Sequence, residues 1–177
     1  SKKLINISTT STKIAQINLF KKLFKKYGHI WVSKMRKDRN RVIVTHLNRS
    51  FDFILNKKDE IPNWILKDRV CFLNFLAGYT DAEGCIFINK KSKVASFTLA
   101  SYDKNILWHI HKHLLKIGIT CNPPRVSVKK GHIKNDGLIY RQDHWSFSIN
   151  KKDPLLKLLI TLKPLLKHLK RLSDLKK

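Results

Sequence analysis

The feature that most constrains this chain is an apolar run that ends in two acids and a glycine and then continues as a strand. It occupies residues 72–89, which read Phe-Leu-Asn-Phe-Leu-Ala-Gly-Tyr-Thr-Asp-Ala-Glu-Gly-Cys-Ile-Phe-Ile-Asn. The first part has helical apolar spacing, and the last part alternates as a strand does. Gly84 can adopt the left-handed conformation that ends many helices. The run therefore predicts a helix that turns directly into a strand.

Small residues in this predicted helix indicate a close-packed partner. Ala77, Gly78 and Ala82 recur at helical spacing. Small side chains on one face let the backbone of a second helix approach closely. We therefore predict a helix-packing interface at these three residues.

The two acids at the end of the predicted helix favour a bound cation. Asp81 and Glu83 lie where the helix dipole is negative, so two further carboxylates are unfavourable there unless a cation compensates them. This arrangement points to a divalent metal. The alternative is an ordinary buried helix with an acidic end.

Residues 76–84, Leu-Ala-Gly-Tyr-Thr-Asp-Ala-Glu-Gly, resemble the signature of the LAGLIDADG homing endonucleases. Tyr79 and Thr80 differ from that signature, and Glu83 replaces its second acid conservatively. The resemblance implies an α+β fold in which an αββαββα unit carries a curved antiparallel sheet. It also implies that Glu83 is the catalytic, metal-binding carboxylate. Asp81 is assigned to the same catalytic and metal site, more as a cap of the helix end, and Mg²⁺ is the expected cofactor only if the chain is catalytically active.

The order of the predicted elements divides the chain into three parts. Residues 66–177 have the full αββαββα order. Residues 1–56 are predicted to be a partial first repeat (β-α-β-β) that lacks its motif helix, and residues 57–65, with Pro62, are predicted to be the linker. In the family, two such units place their motif helices side by side, and each delivers one acid. Because this chain has one motif, we expect a homodimer mate or a separately encoded fragment to supply the second motif helix.

A strong positive charge predicts a polyanionic partner. The chain carries 37 Lys and Arg against 12 Asp and Glu, a formal net charge of +25, and its 42% apolar content is sufficient for a core. Nucleic acid, either double-stranded DNA or structured RNA, is the leading partner. We expect no spanning of a membrane, because no apolar run approaches about 20 residues. A basic membrane-surface protein is the weaker alternative.

Alternation in the predicted strands separates an apolar face from a polar one. A sheet face lined by hydroxyl, amide and cationic side chains is suited to a major groove, and the family binds DNA through such a face. A merely solvated face is the alternative. The predicted nucleic-acid-binding residues are Lys93, Ser96, Thr98, Arg125, Ser127, Lys129, Gln142, His144, Ser146 and Ser148.

Two functions follow from these features. The first is a homing endonuclease that cleaves double-stranded DNA when the missing motif helix is supplied. The second is a catalytically inactive descendant that binds structured RNA, as an intron maturase or a component of an organellar ribosome. One difference from the family favours the second function. The family places a lysine near the start of the last helical turns, and this chain has Leu169 there. Lys167 and Lys170 are the candidate substitutes for that lysine.

The cysteines and the amino-acid usage bear on the compartment. Cys71, Cys85 and Cys121 are odd in number and have no metal-binding spacing, so we expect reduced thiols in an intracellular setting. An excess of Lys over Arg, with frequent Ile and Asn, is typical of AT-rich coding, as in the genome of a mitochondrion or chloroplast.

Overall fold

The computed structural model describes residues 4–37, 39–55, 58–89, 91–134 and 136–175. The chain divides into two compact units, residues 1–57 and residues 58–177. Residues 56 and 57, where the predicted first repeat ends and the predicted linker begins, lie outside the described residues.

The first unit has the predicted strand-helix-strand-strand order. It consists of β1 (Ile5–Ser11), α1 (Ile14–Phe24), β2 (Ile30–Val32), β3 (Arg41–Leu47) and a 3₁₀ helix (Arg49–Ile54). The sheet is antiparallel in the order β1-β3-β2. Its small core contains Ile5, Ile17, Ile43 and Leu47. The interpretation of this unit as a partial repeat stays a prediction.

The second unit contains the helix-to-strand run. Its elements are α2 (Asn63–Lys67), α3 (Arg69–Glu83), β4 (Gly84–Asn89), β5 (Val94–Ser101), α4 (Lys104–Lys116), β6 (Arg125–Val128), β7 (His144–Ile149), α5 (Lys152–Leu162) and α6 (Leu169–Asp174). The four strands form an antiparallel sheet in the order β4-β5-β7-β6. The predicted α+β architecture is therefore confirmed.

One face of the four-stranded sheet is covered by helices, and this is where the core lies. Phe97 and Leu99 of β5 and Phe147 of β7 point into it, together with apolar residues of α3, α4 and α5. In each strand the buried residues alternate with more exposed ones, as expected for a sheet that packs on one side.

Three further features concern the ends of elements in the second unit. Ile61, in the predicted linker, is buried in the core of this unit. β7 begins at His144, and the residues before it form a separate hairpin. α5 ends at Leu162 and α6 begins at Leu169, and Pro164 between them lacks the N–H that a continuous helix requires.

None of the described helices is long and apolar enough to cross a membrane.

Candidate acidic centre and nucleic-acid interface

The motif helix α3 begins at a side-chain cap. Asp68 accepts a hydrogen bond from the Cys71 backbone N–H at 2.6 Å, which satisfies a donor that the first helical turn leaves free. The same hydrogen bond holds the pKa of Asp68 below its ordinary value, because it stabilises the carboxylate. The helix is thus fixed at one end, and the acids Asp81 and Glu83 lie 13 and 15 residues further on, at the other end.

Gly84 ends the helix in an extended conformation, not in the left-handed one that the sequence predicts. Its φ is −77° and its ψ is 151°, and its N–H donates to the Thr80 carbonyl oxygen. Glycine is needed here for space: a Cβ would lie 2.6 Å from that oxygen and 2.8 Å from the Thr80 Cγ2. The tight turn lets β4 start immediately after Glu83.

Asp81 is held by the chain segment that follows α5. Its Oδ2 accepts a hydrogen bond from the Lys167 backbone N–H at 2.8 Å, across a separation of 86 residues. Its Oδ1 is buried and has no hydrogen-bond partner among the described residues. Asp81 therefore ties the motif helix to the segment that precedes α6.

Glu83 is exposed at the last position of α3. Side chains two positions apart on a helix project about 200° from each other, so Asp81 and Glu83 do not converge on one point. Glu83 is thus the motif carboxylate that faces solvent.

The acidic side chains at the end of α3 are the possible ligands for a divalent metal in this site. Among the described residues, no group of three or more His, Cys, Asp or Glu side chains lies together. Mg²⁺, however, commonly takes only one or two carboxylates together with water and substrate phosphates. Glu83 fits that role as a single carboxylate ligand. Asp81 fits it less well, because its Oδ2 already accepts a hydrogen bond from the Lys167 N–H.

The three residues of the predicted helix-packing face differ in exposure. Gly78 and Ala82 are exposed, and no atom of the described residues lies within 4 Å of a Cβ built on Gly78. Ala77 is only 1% exposed and belongs to the core of the second unit. It lies about 100° around the helix from Gly78, so the two residues face different surroundings, and the packing role of Ala77 stays a prediction. We call Gly78 and Ala82 the open face of α3.

A partly buried arginine, Arg171, contacts the end of the motif helix and was not among the predicted site residues. The Arg171 Nε donates to the Thr80 carbonyl oxygen at 3.3 Å, and its Nη1 lies 3.8 Å from the Asp174 Oδ2. A cation at this end of a helix is favourable for the dipole. Leu169, at the position expected for a lysine, is exposed. Thr80 and Arg171 are 91 residues apart, so no local pattern reveals the contact.

Tyr79 connects the motif helix to α4. Its hydroxyl donates to the Asp103 Oδ2 at 3.2 Å. Burial of the phenol, followed by the nearby negative charge of Asp103, raises its pKa far above the usual range. Tyr79 is therefore a neutral structural donor in this protein.

The outward side of the four-stranded sheet carries most of the predicted nucleic-acid-binding residues. Thr98 pairs with Ser148, and Ser146 pairs with Arg125 across neighbouring strands. The Ser127 hydroxyl lies 3.0 Å from the His144 Nδ1. We define the polar sheet face as Ser96, Thr98, Arg125, Ser127, His144, Ser146 and Ser148. Their role in binding stays a prediction.

Three further predicted residues lie outside these strands. Lys129 follows β6 and Gln142 precedes β7, and both are exposed next to the polar sheet face. Lys93 precedes β5 with a positive φ of 54° and lines a groove with Leu155 and Leu159 of α5. Lys93 lies in the turn before Val94, the first residue of β5, and therefore outside the regular alternation of the strand; its role in binding stays a prediction.

Two residues of β4 also lie on the outward side and were missed. Cys85 pairs with Thr98, and Phe87 pairs with Ser96. Both are exposed, whereas Ile86 between them is buried. The alternation of residues 85–89 was the available signal.

These features define a class of protein: an α+β protein whose motif helix ends in acids and leads into an antiparallel sheet with one polar face. Residues 72–147 match the family model of the LAGLIDADG-like domain, which confirms the resemblance of the motif. The chain thus contains a LAGLIDADG-like domain. No curated protein sequence matches it.

Solved structures show the same fold. Mesophilic variants of the homing endonuclease I-DmoI are 15% identical, with a TM-score of 0.58, over 90% of this chain and 80% of theirs. I-DmoI in complex with DNA and Mn gives 15% identity and a TM-score of 0.57 over 90% and 81%. Full-length DUF199/WhiA from Thermatoga maritima is 16% identical, with a TM-score of 0.50, over 97% of this chain and 53% of its own. The fold is that of the LAGLIDADG homing endonucleases.

Proposed function

We propose that this chain binds nucleic acid through its polar sheet face and hydrolyses double-stranded DNA with a divalent metal once a second motif helix completes its acidic centre. The observation that carries this proposal is the exposed Glu83 at the end of α3, next to the open face formed by Gly78 and Ala82. I-DmoI, which has this fold, has been solved with DNA and Mn and with DNA and Ca. The net charge of +25 agrees with a polyanionic ligand.

The second motif helix comes from a homodimer mate or from a separately encoded fragment. Gly78 has no neighbour within 4 Å of its Cβ position, so a second backbone has room to approach α3 there. A mate that packs in this way brings its own carboxylate close to Glu83. Cleavage of both strands of a duplex requires such a pair, because each metal site stabilises an attacking or a leaving oxygen.

The residues of this chain have separate tasks in the proposed reaction. Glu83 holds the metal and Asp81, fixed by the Lys167 N–H, keeps the helix end in place. The polar sheet face positions the duplex by hydrogen bonds to bases and phosphates. When bound, Mg²⁺ neutralises charge on the phosphate and lowers the pKa of a water molecule.

The test is cleavage of long duplex DNA by the wild-type protein and by Glu83→Gln, at concentrations where sedimentation shows an assembled dimer or fragment complex. We expect Glu83→Gln to reduce magnesium-dependent cleavage by at least about 100-fold while duplex affinity stays the same, because only the ligand is lost. Glu60→Gln is the matched control, since Glu60 is an exposed glutamate whose contact is Lys58. An assembled complex that cuts no DNA contradicts the nuclease proposal.

A second candidate is a non-catalytic protein that binds structured RNA, as an intron maturase or an organellar ribosome component. It is favoured by the single acidic motif in the sequence and by the engagement of Asp81 with the Lys167 backbone. This function predicts that folded RNA outcompetes duplex DNA at matched salt and that Glu83→Gln has no effect. Preference for the duplex contradicts it.

A further inference from the structure

The connection between β6 and β7 forms a second, smaller hairpin. Tyr140 donates its N–H to the His132 carbonyl oxygen at 2.9 Å and accepts from the Gly131 N–H at 2.8 Å. Ile133 and Ile139 form an antiparallel bridge further out. The Asp143 Oδ1 accepts from the Lys130 N–H and closes the base of the hairpin. These hydrogen bonds give the hairpin a defined shape beyond the edge of the sheet.

Four rings gather where this hairpin meets the loop between β5 and α4. Tyr102 lies in that loop, and its ring centroid is 6.3 Å from that of Tyr140 and 5.1 Å from that of His144. The ring centroid of His132 lies 6.0 Å from that of Tyr140. We call Tyr102, His132, Tyr140 and His144 the aromatic cluster.

The aromatic cluster is open to solvent and surrounded by cations. Tyr102 is 41% exposed, and the Lys134 Nζ lies 4.8 Å from the centroid of the Tyr140 ring. A cleft of about 330 Å³ is formed beside it by Tyr102, Tyr140, Lys134, Arg141, Gln142 and the apolar Leu138 and Ile139. Arg141 is exposed at its rim. The acids of the hairpin are already engaged, because Asp136 and Asp143 accept backbone N–H groups.

A hairpin that serves only as a connection needs none of these exposed groups. Ile133 and Leu138 are each 60% exposed, next to the tyrosines. An exposed apolar and aromatic surface of this kind usually marks an interaction site. Aromatic faces with lysine and arginine around them bind a flat ring that carries a phosphate, whereas acidic or purely aliphatic partners lack one of the two matching features.

We propose that the aromatic cluster and its cleft bind an unpaired nucleotide, with the base stacked on Tyr102 or Tyr140 and the phosphate contacted by Lys134 and Arg141. Bases within a duplex are stacked on each other and cannot offer their faces, so the ligand is a single-stranded tail, bulge or loop. This inference rests on the proposed nucleic-acid binding and adds a second type of ligand site to it.

The test compares a blunt hairpin duplex with the same duplex extended by a single-stranded tail of about five nucleotides, a length within the site sizes of single-strand binders. The tail contains 2-aminopurine, whose fluorescence falls when the base stacks. We expect the tail to raise affinity and its fluorescence to fall on binding. Tyr102→Leu and Tyr140→Leu should each lower the affinity for the tailed duplex by roughly 5- to 100-fold and abolish the quenching.

Tyr27→Leu is the matched control. Tyr27 is 43% exposed and has the Lys26 Nζ 4.7 Å from its ring centroid, but it lies in the first unit. We expect this variant to behave as the wild type with the tailed duplex. Affinity for the blunt duplex, which reports on the polar sheet face, should be unchanged in all three variants and thereby shows that they are folded.

The outcomes separate this inference from the proposed function. Binding of the blunt duplex without any gain from the tail overturns the nucleotide site alone. An equal loss for blunt and tailed duplexes in the tyrosine variants overturns it as well. Failure to bind either oligonucleotide overturns both proposals. The experiment is done with an RNA tail and with a DNA tail. If the 2-aminopurine fluorescence of both tails is quenched, the site recognises the base alone. If only the RNA tail is quenched, the site also recognises the ribose 2′-hydroxyl.

Discussion

Two glycines of the motif have opposite structural roles at the residue scale. Gly84 has no room for a side chain, because a Cβ would lie 2.6 Å from the Thr80 carbonyl oxygen. Gly78 has open space around its Cβ position. Gly84 is therefore required by the fold of this chain, whereas the fold does not require Gly78. This contrast supports the view that Gly78 serves a partner.

Alanine substitutions separate these roles. Gly84→Ala should lower the free energy of unfolding by about 1–3 kcal/mol, because the turn must shift to relieve the overlap. Gly78→Ala should raise it by about 0.5–1 kcal/mol, since alanine is the better helix former where nothing is crowded. Urea denaturation of each variant measures both changes. Equal effects of the two substitutions contradict this assignment.

At the scale of elements, residues 58–65 of the predicted linker belong to the second unit. The Asp59 carboxylate accepts hydrogen bonds from the Asn105 N–H at 2.9 Å and from the Ile106 N–H at 3.1 Å. It thereby satisfies backbone donors in the first turn of α4, which has no cap from its own N-cap residue. Ile61 is buried two residues later. A segment 46 residues earlier in the chain thus completes the helix.

Removal of this cap should therefore destabilise the second unit. We expect Asp59→Ala to lower the free energy of unfolding by about 0.5–2 kcal/mol, the usual cost of losing a helix cap. Thermal unfolding followed by circular dichroism measures it. Asp52→Ala is the control: Asp52 makes an exposed ion pair with Arg49 at 3.3 Å, so its loss should cost less than about 1 kcal/mol. If Asp59→Ala lowers the free energy of unfolding no more than Asp52→Ala does, the segment around Asp59 is a linker that does not stabilise α4.

At the scale of the whole molecule, charge dominates the expected behaviour. With a net charge of +25 on 177 residues, we expect counterion release to supply most of the affinity for the proposed nucleic-acid ligand. The polar sheet face contributes the exposed Arg125, beside five hydroxyl side chains and His144. Affinity should therefore come mostly from charges spread over the surface, and selectivity from the polar sheet face and the aromatic cluster.

Affinity for duplex DNA should accordingly fall steeply with salt. With about 6–10 phosphate contacts, we expect a loss of roughly 10³- to 10⁵-fold between about 50 and 200 mM salt. Arg125→Gln should reduce the slope of log affinity against log salt by about one, because one phosphate contact is lost. Arg49→Gln, which removes a cation paired with Asp52, is the control. Fluorescence anisotropy at several salt concentrations measures the affinity and its slope for each variant. An affinity for duplex DNA that does not change with salt contradicts binding through phosphate contacts.

Local sequence patterns were sufficient to predict the helices and strands and to place most residues of the polar sheet face on one side of the sheet. Alternation correctly put Thr98 on the other face of the sheet from Phe97, and Ser148 on the other face from Phe147. Neighbouring residues of a strand point to opposite faces. Lys93, Lys129 and Gln142 lie outside the strands, where turns interrupt the regular period. Helical spacing likewise grouped Ala77 with Gly78 although only Gly78 is open.

The sequence by itself determined the motif helix, the turn into β4 and the order of the elements, since these depend on neighbouring residues and on regular periods. Only the tertiary structure decided that Lys167 holds Asp81, that Arg171 caps Thr80, and that Tyr102 meets Tyr140. These contacts join segments far apart in the chain. Periodicity shows which face of an element is buried, but the packing of the whole unit determines which distant residue covers it.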